Sequence, residues 1–196
     1  MRILIVAAVA PVLFLTGCSC HQEEIVTDCR VTGELTEQTA NLTYVSTGLA
    51  SDVTCFSDSF SFARRGELTA PRELKLAVRF HVREATRAAP TDATFPFVGF
   101  ELTVHDVPFG PSEIELDDTR AKIEGCNALH GHLGITALTP SCHDSLYCPI
   151  DLEGTLTFSA VSLADGAVLD LTNASVNIHQ TYVKRDVMCG GDGVGA

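Results

Sequence analysis

The sequence predicts an all-β protein: an antiparallel β-sandwich, with a closed β-barrel as the alternative, stabilised by disulfides. Three observations carry this. Apolar residues recur at every second position in run after run, Pro and Gly cluster between the runs, and six cysteines are spread through the same stretch. Period two marks a strand with one face buried and the other in water.

In chain order, Asn41 to Ser46 and Thr54 to Phe62 read as weak strands. Asp58 shares the parity of Phe56, Phe60 and Phe62, so a bulge is expected to turn its carboxylate outward. From Leu74 to Arg83 every even position is apolar and every odd position except Ala77 is basic, the pattern of a half-buried strand. Val98, Phe100, Leu102 and Val104 alternate with Gly99, Glu101, Thr103 and His105, and Ile114 and Leu116 alternate with Glu113, Glu115 and Asp117. Asp118 to Leu129 comes nearest to an amphipathic helix, weakened by Gly125. Leu152, Leu156, Phe158 and Ala160 form one strand face. Beyond the turn signal Asp165-Gly166, Leu169, Leu171, Ala174, Val176 and Ile178 form another, so the two runs read as a hairpin. No linker divides the chain. Residues 29–189 therefore read as a single β domain and 190–196 as a disordered tail.

Composition sets limits on function. With 13 Lys plus Arg against 25 Asp plus Glu, the formal net charge is −12, which excludes nucleic acid as the expected partner because phosphate binding needs a basic surface. A hydrophobic fraction of 45% is enough to fill a core. The chain has no phosphate-loop motif, no dinucleotide glycine fingerprint, no paired-histidine zinc-protease helix motif and no nucleophile elbow, and no cofactor is expected.

The leader fixes the expected location. Arg2 precedes the apolar run Ile3 to Leu15, whose 13 residues are too few to span a bilayer as a helix. The run ends in Leu15-Thr16-Gly17-Cys18, which resembles the lipobox of bacterial lipoproteins. The resemblance covers only residues 1–18 and implies that residues 1–17 are a signal peptide. It also implies that Cys18, acylated with palmitate-like chains, is the first mature residue and anchors the protein to a membrane. Two or more acyl chains give a lasting anchor, since each buried CH₂ contributes about 0.8 kcal/mol. Ser19 rather than Asp follows Cys18, which in that family points to the outer membrane of the cell envelope. The mostly polar residues 18–28 read as a tether.

An exported protein meets an oxidising compartment, so Cys29, Cys55, Cys126, Cys142, Cys148 and Cys189 are disulfide candidates. Six cysteines allow about 15 pairings. The preferred set is Cys142–Cys148, Cys29–Cys189 and Cys55–Cys126, with Cys20 left over. Zinc is the competing use, because Cys126, His130, His132, Cys142, His143 and Cys148 are close in sequence, although their spacing is not that of a zinc motif.

Candidate sites are few. His130 and His132 would share one strand face and are weak candidates for a metal, with His143 a third. His143-Asp144-Ser145 has the residue types of a hydrolytic triad, but consecutive side chains diverge, and a disulfide loop is the better reading. Lys75, Arg79, His81 and Arg83 form a basic stripe; Glu113, Glu115 and Asp117 form an acidic one. The two are expected to pair across strands, or else the basic stripe is a site for anionic lipid or polysaccharide.

The function expected from the sequence is a lipid-anchored envelope protein with a non-enzymatic domain for structure, adhesion or ligand binding, its partner an envelope protein or polysaccharide. A metal-dependent or hydrolytic enzyme using His130, His132, His143 and Asp144 is one alternative. A carbohydrate-binding module is another, weakened by the absence of Trp.

Overall fold

In a computed structural model the described residues are 19–56, 72–86, 97–140 and 148–188, with side chains described for 25–55, 73–86, 97–140 and 148–184. They form eleven strands and no helix. The strands are β1 (Ser19–Gln38), β2 (Thr43–Leu49), β3 (Asp52–Phe56), β4 (Arg72–His81), β5 (Glu84–Thr86), β6 (Phe97–Val107), β7 (Ser112–Asp117), β8 (Ala121–Ile123), β9 (Cys126–Pro140), β10 (Ile150–Ser162) and β11 (Val168–Met188). Seven make one sheet in the order β5-β2-β1-β11-β10-β9-β7, and four make a second in the order β3-β4-β6-β8. Both sheets are antiparallel and neither closes into a barrel, so the sandwich stands and the barrel alternative does not. The chain divides into two compact units, Ile25–Tyr182 and a smaller one of Met1–Glu24 with Val183–Ala196. Within the smaller unit, the described residues are the start of β1 and the end of β11.

Alternation builds the core of the larger unit. Leu74, Leu76, Val78 and Phe80 of β4, with Val82 just beyond, and Val98, Phe100, Leu102 and Val104 of β6 are all buried. They meet Leu152, Leu156, Phe158 and Ala160 of β10 and Leu169, Leu171, Ala174, Val176 and Ile178 of β11 in one hydrophobic cluster. Phe100 and Phe158 join the sheets edge to face, their ring centroids 4.9 Å apart. Each large side chain removed from water stabilises the fold by about 1.5 to 3 kcal/mol.

The chain changes sheet twice at one corner. Ala50 and Ser51 carry it from β2 in the large sheet to β3 in the small one, and Val82 and Arg83 carry it from β4 back to β5. The crossings hold each other. Ser51 donates its backbone N–H and its hydroxyl to the Arg79 carbonyl at 2.8 and 2.9 Å, the Arg83 N–H donates to Val45 O at 2.9 Å, and the buried Ser46 hydroxyl donates to His81 O. The Cys29–Cys55 disulfide links β1 to β3, again one strand from each sheet. Its closed loop spans 26 residues, for which chain entropy gives roughly 3 to 4 kcal/mol of stabilisation.

Several expectations are corrected. Cys29 pairs with Cys55, not Cys189, so the Cys55–Cys126 pairing falls too, and Cys126 carries a free thiol. The reason lies in the corner crossings, which set β3 where β1 can reach it. Cys148 is disulfide-bonded, whereas Cys142 and Cys189 lie outside the described residues, as do Cys18, Asp58 and the 190–196 tail. Strand β1 begins at Ser19, so residues 19–28 are strand rather than tether. A polar segment can pair when a neighbour supplies the ladder, and Gln180 of β11 helps by donating its side-chain amide N–H to the Thr27 hydroxyl at 3.3 Å. Asp118 to Leu129 is a turn, the short strand β8, a second turn and the start of β9 instead of a helix. Asp117 dictates this: its carboxylate accepts the backbone N–H groups of Thr119 and Arg120, both at 2.9 Å, and closes the first turn. Gly125, with φ of 76°, supplies the second.

The parity break between Leu171 and Ala174 also has a cause. Leu156 pairs with Ala174 and Phe158 with Leu171, so β11 carries an extra residue, and Asn173 takes φ of 52° to absorb it. Strand β9 has a like irregularity opposite Ser159 and Val161, where Ala128 sits at φ of 51°. Alanine resists that conformation by about 1 to 2 kcal/mol.

Two predictions follow from register and backbone. Val78→Asp would bury an unpaired carboxylate and should unfold the domain, whereas Arg79→Gln, on the exposed face of the same strand, should change stability by less than about 1 kcal/mol. Equal loss of β-sheet circular dichroism in both variants would refute the face assignment. Ala128→Gly should stabilise by about 0.5 to 1 kcal/mol, the relieved strain less the added freedom of the unfolded chain, read as a higher urea midpoint at unchanged slope.

Candidate functional site

The outward face of the small sheet holds the basic stripe. Lys75, Arg79 and His81 of β4 and Arg83 just beyond are all exposed, but their surroundings differ. Lys75 is bound by Glu73 at 3.0 Å, and Glu73 also meets His105 Nδ1 at 3.0 Å. His81 lies against Phe97, their ring centroids 4.3 Å apart. Arg83 lies in the β4–β5 crossing, its guanidinium beside Gly48. Arg79 forms no ion pair among the described residues.

Arg79 sits where three strands make a shallow depression of about 700 Å³, lined by Asp52, Thr54, Ala77, Phe97, Gly99, Glu101 and Glu124 besides itself. Strand pairing builds it. Register places Asp52 of β3 on one side of Arg79 and Gly99 of β6 on the other. Ala77, one outward position away, stands between Thr54 and Glu101. The small residues Ala77 and Gly99 make the hollow. A methyl group at Gly99 would stand 3.1 Å from Arg79 Cγ and would collide with the Val78 carbonyl, so glycine is what lets the arginine stem lie across β6. The Glu124 N–H donates to Glu101 O at 2.9 Å, which brings a third carboxylate to the rim, where Lys122 holds it at 2.7 Å. Phe97 is 53% exposed at the opposite end, a large ring left in water beside charged groups.

The acidic stripe lies elsewhere, so the expected pairing of the two stripes does not occur. Glu113, Glu115 and Asp117 belong to β7, an edge of the large sheet, where Glu115 opposes His132 and Asp117 opposes His130. Glu113 reaches diagonally to His132 Nε2 at 2.8 Å, over the space that Gly134 leaves. Hydrogen bonds from Thr119 and Arg120 hold the Asp117 carboxyl below the usual carboxylate range. His130 and His132 share the outer face, but among the described residues no three His, Cys, Asp or Glu side chains converge as a metal site would require. His143, Asp144 and Ser145 lie outside the described residues.

Three features escaped the sequence reading. Asp52 and Glu124 fall in short segments without visible alternation, and only strand pairing brings them to Arg79. Asp151, His179 and Thr181 form a chain in which the carboxylate bonds His179 Nδ1 and the Thr181 hydroxyl lies 3.2 Å from Nε2. The connectivity is that of a hydrolytic relay, but β11 lies between β1 and β10, so its backbone N–H groups are spent in the ladders and none is left for an oxyanion. The third is a group at the turn between β10 and β11. Burial pushes the Glu37 carboxyl up, with the charge of Asp165 adding to it, and burial followed by Glu37 and Asp165 pushes the Cys126 thiol up.

No protein-family model matches this sequence, and neither a curated protein nor a solved structure does. What the molecule defines by its own geometry is a β-sandwich whose smaller sheet carries a mixed-charge, aromatic-edged depression.

Glu37→Gln should speed alkylation of Cys126, because removing the negative charge lets more thiolate form; mass mapping of the Cys126 peptide at pH 8 reads it. The same substitution should stabilise at pH 7. A carboxyl whose folded pKa is raised costs stability once pH exceeds its unfolded value, and the cost disappears below it. The gain should be under about 1 kcal/mol after solvent screening and should vanish below about pH 4. A gain that grows as pH falls would refute the assignment.

Proposed function

We propose that this protein is a lipid-anchored component of the bacterial cell envelope, held by Cys18, whose sandwich binds a ligand without catalysis on the outer face of the small sheet. One observation carries the binding half. The basic stripe does not cancel against the acidic one; it opens onto a depression where Arg79 has no ion pair among the described residues and Phe97 is half exposed. An exposed guanidinium beside an exposed aromatic ring is a combination that recurs where proteins bind. The anchoring half rests on the lipobox-like Leu15-Thr16-Gly17-Cys18, on the outer-membrane preference implied by Ser19 and on the disulfides, which suit an exported chain.

Anchoring is tested by Cys18→Ser, which should abolish incorporation of labelled palmitate and release the protein from the membrane fraction. Membrane retention equal to wild type, with a mature N-terminus elsewhere, would overturn it. The binding half is tested by nuclear magnetic resonance titration of the full protein in detergent with three probes: a lysine peptide, vesicles of zwitterionic phospholipid and a neutral oligosaccharide. At least one should shift resonances of β4 and β6, and Phe97→Ala should weaken it by about tenfold. Silence from all three probes would refute the binding face.

A further inference from the structure

We infer, resting on that binding face, that the ligand is a short basic peptide ending in a free carboxylate. The depression offers one cation free of an ion pair among the described residues, Arg79, and three carboxylates, of which Glu124 is already held by Lys122 at 2.7 Å, so that Asp52 and Glu101 remain. An anionic lipid or polysaccharide would meet those carboxylates on a chain whose net charge is already −12, so the basic stripe does not work as an anion site. A polyamine would satisfy the carboxylates and leave Arg79 with another cation beside it. A ligand with a single carboxylate and two or more ammonium groups satisfies both. Arg79 presents a planar fork that fits a carboxylate through two parallel hydrogen bonds, and its stem is steadied across Gly99. The ring of Phe97, backed by His81, gives the apolar part of a peptide a surface to cover. The hollow, about 700 Å³ and open to water, leaves room for a short peptide to lie across the face.

The test uses the full protein in detergent and the peptide Lys-Ala-Lys, as the free acid and as the C-terminal amide, followed by calorimetry and resonance shifts. The free acid should bind, and amidation should weaken it about tenfold, the value of a charge-assisted hydrogen-bonded contact. Arg79→Gln should weaken the free acid by about the same factor and make acid and amide bind alike. Asp52→Asn with Glu101→Gln should weaken both forms, and acetylating the peptide's lysines should do the same. Equal binding of acid and amide to the wild type, or no effect of Arg79→Gln, would overturn the proposal. If zwitterionic vesicles or the oligosaccharide bind and neither peptide does, the peptide is refuted and the binding face stands. If no probe binds, the face itself is refuted. Arg79→Gln with an unchanged urea midpoint shows that its loss of binding is not a loss of fold.

Discussion

The structure depends on parity. Strand β4 must keep Leu74, Leu76, Val78 and Phe80 inward while β6 does the same with Val98, Phe100, Leu102 and Val104, and a slip of one residue would turn either set into water. At about 1.5 to 3 kcal/mol per large side chain, no local preference can compete with that loss. Everything else adapts to it. Where a strand has one residue too many for the pattern, the backbone accepts a left-handed conformation at Asn173 or Ala128 instead of abandoning the register. The two crossings at the corner, tied through the carbonyls of Arg79, His81 and Val45, then fix the sheets to each other, and Cys29–Cys55 closes the same side.

Because the core consumes the inward positions, the outward positions of the two sheets are free to differ. The large sheet sets histidines against carboxylates: His132 with Glu113, and His179 with Asp151. Such exposed pairs satisfy themselves and are each worth little. The small sheet is satisfied only in part. Glu73 takes up Lys75 and His105, and Lys122 takes up Glu124, but Asp52, placed opposite Arg79 by register, makes no ion pair with it, and the arginine stem runs the other way over Gly99. The difference that matters to the proposed binding face is local: an exposed guanidinium beside an exposed ring, over a hollow left by Ala77 and Gly99.

How much of this was legible in the sequence depends on where the information sits. Strands β4, β6, β7, β10 and β11 were visible because their alternation is local, and the Asp165-Gly166 hairpin was visible for the same reason. Strand β1 was not, since residues 19–28 are mostly polar and become a strand only through neighbours far along the chain. The Asp118 to Leu129 segment misled because its apolar spacing suits a helix, whereas the turn made by the Asp117 carboxylate is specified by hydrogen bonds that periodicity does not register. The Cys29–Cys189 and Cys55–Cys126 pairings failed for a topological reason: nothing near Cys29 or Cys55 in sequence says that the chain changes sheet at Ala50 and Ser51. The basic stripe was read in the right residues, but its setting was not, because Asp52, Phe97 and Glu124 reach Arg79 only through the pairing of β3, β4 and β6 with the turn after β8.

The same geometry explains why a face rather than a cleft is the place to look for function. Among the described residues the space between the sheets is taken by a continuous cluster of buried Leu, Val and Phe, which leaves the outer faces as the place where side chains meet a ligand. An outer face is a poor setting for catalysis, since its backbone donors are committed to the ladder and water screens its charges. It is a good setting for reversible recognition, since its side chains are held at fixed spacing by the strands beneath them. Arg79, exposed on its outer side and rooted between the buried Val78 and Phe80, combines the two requirements: its position is set by the core, and its charge remains available to whatever docks.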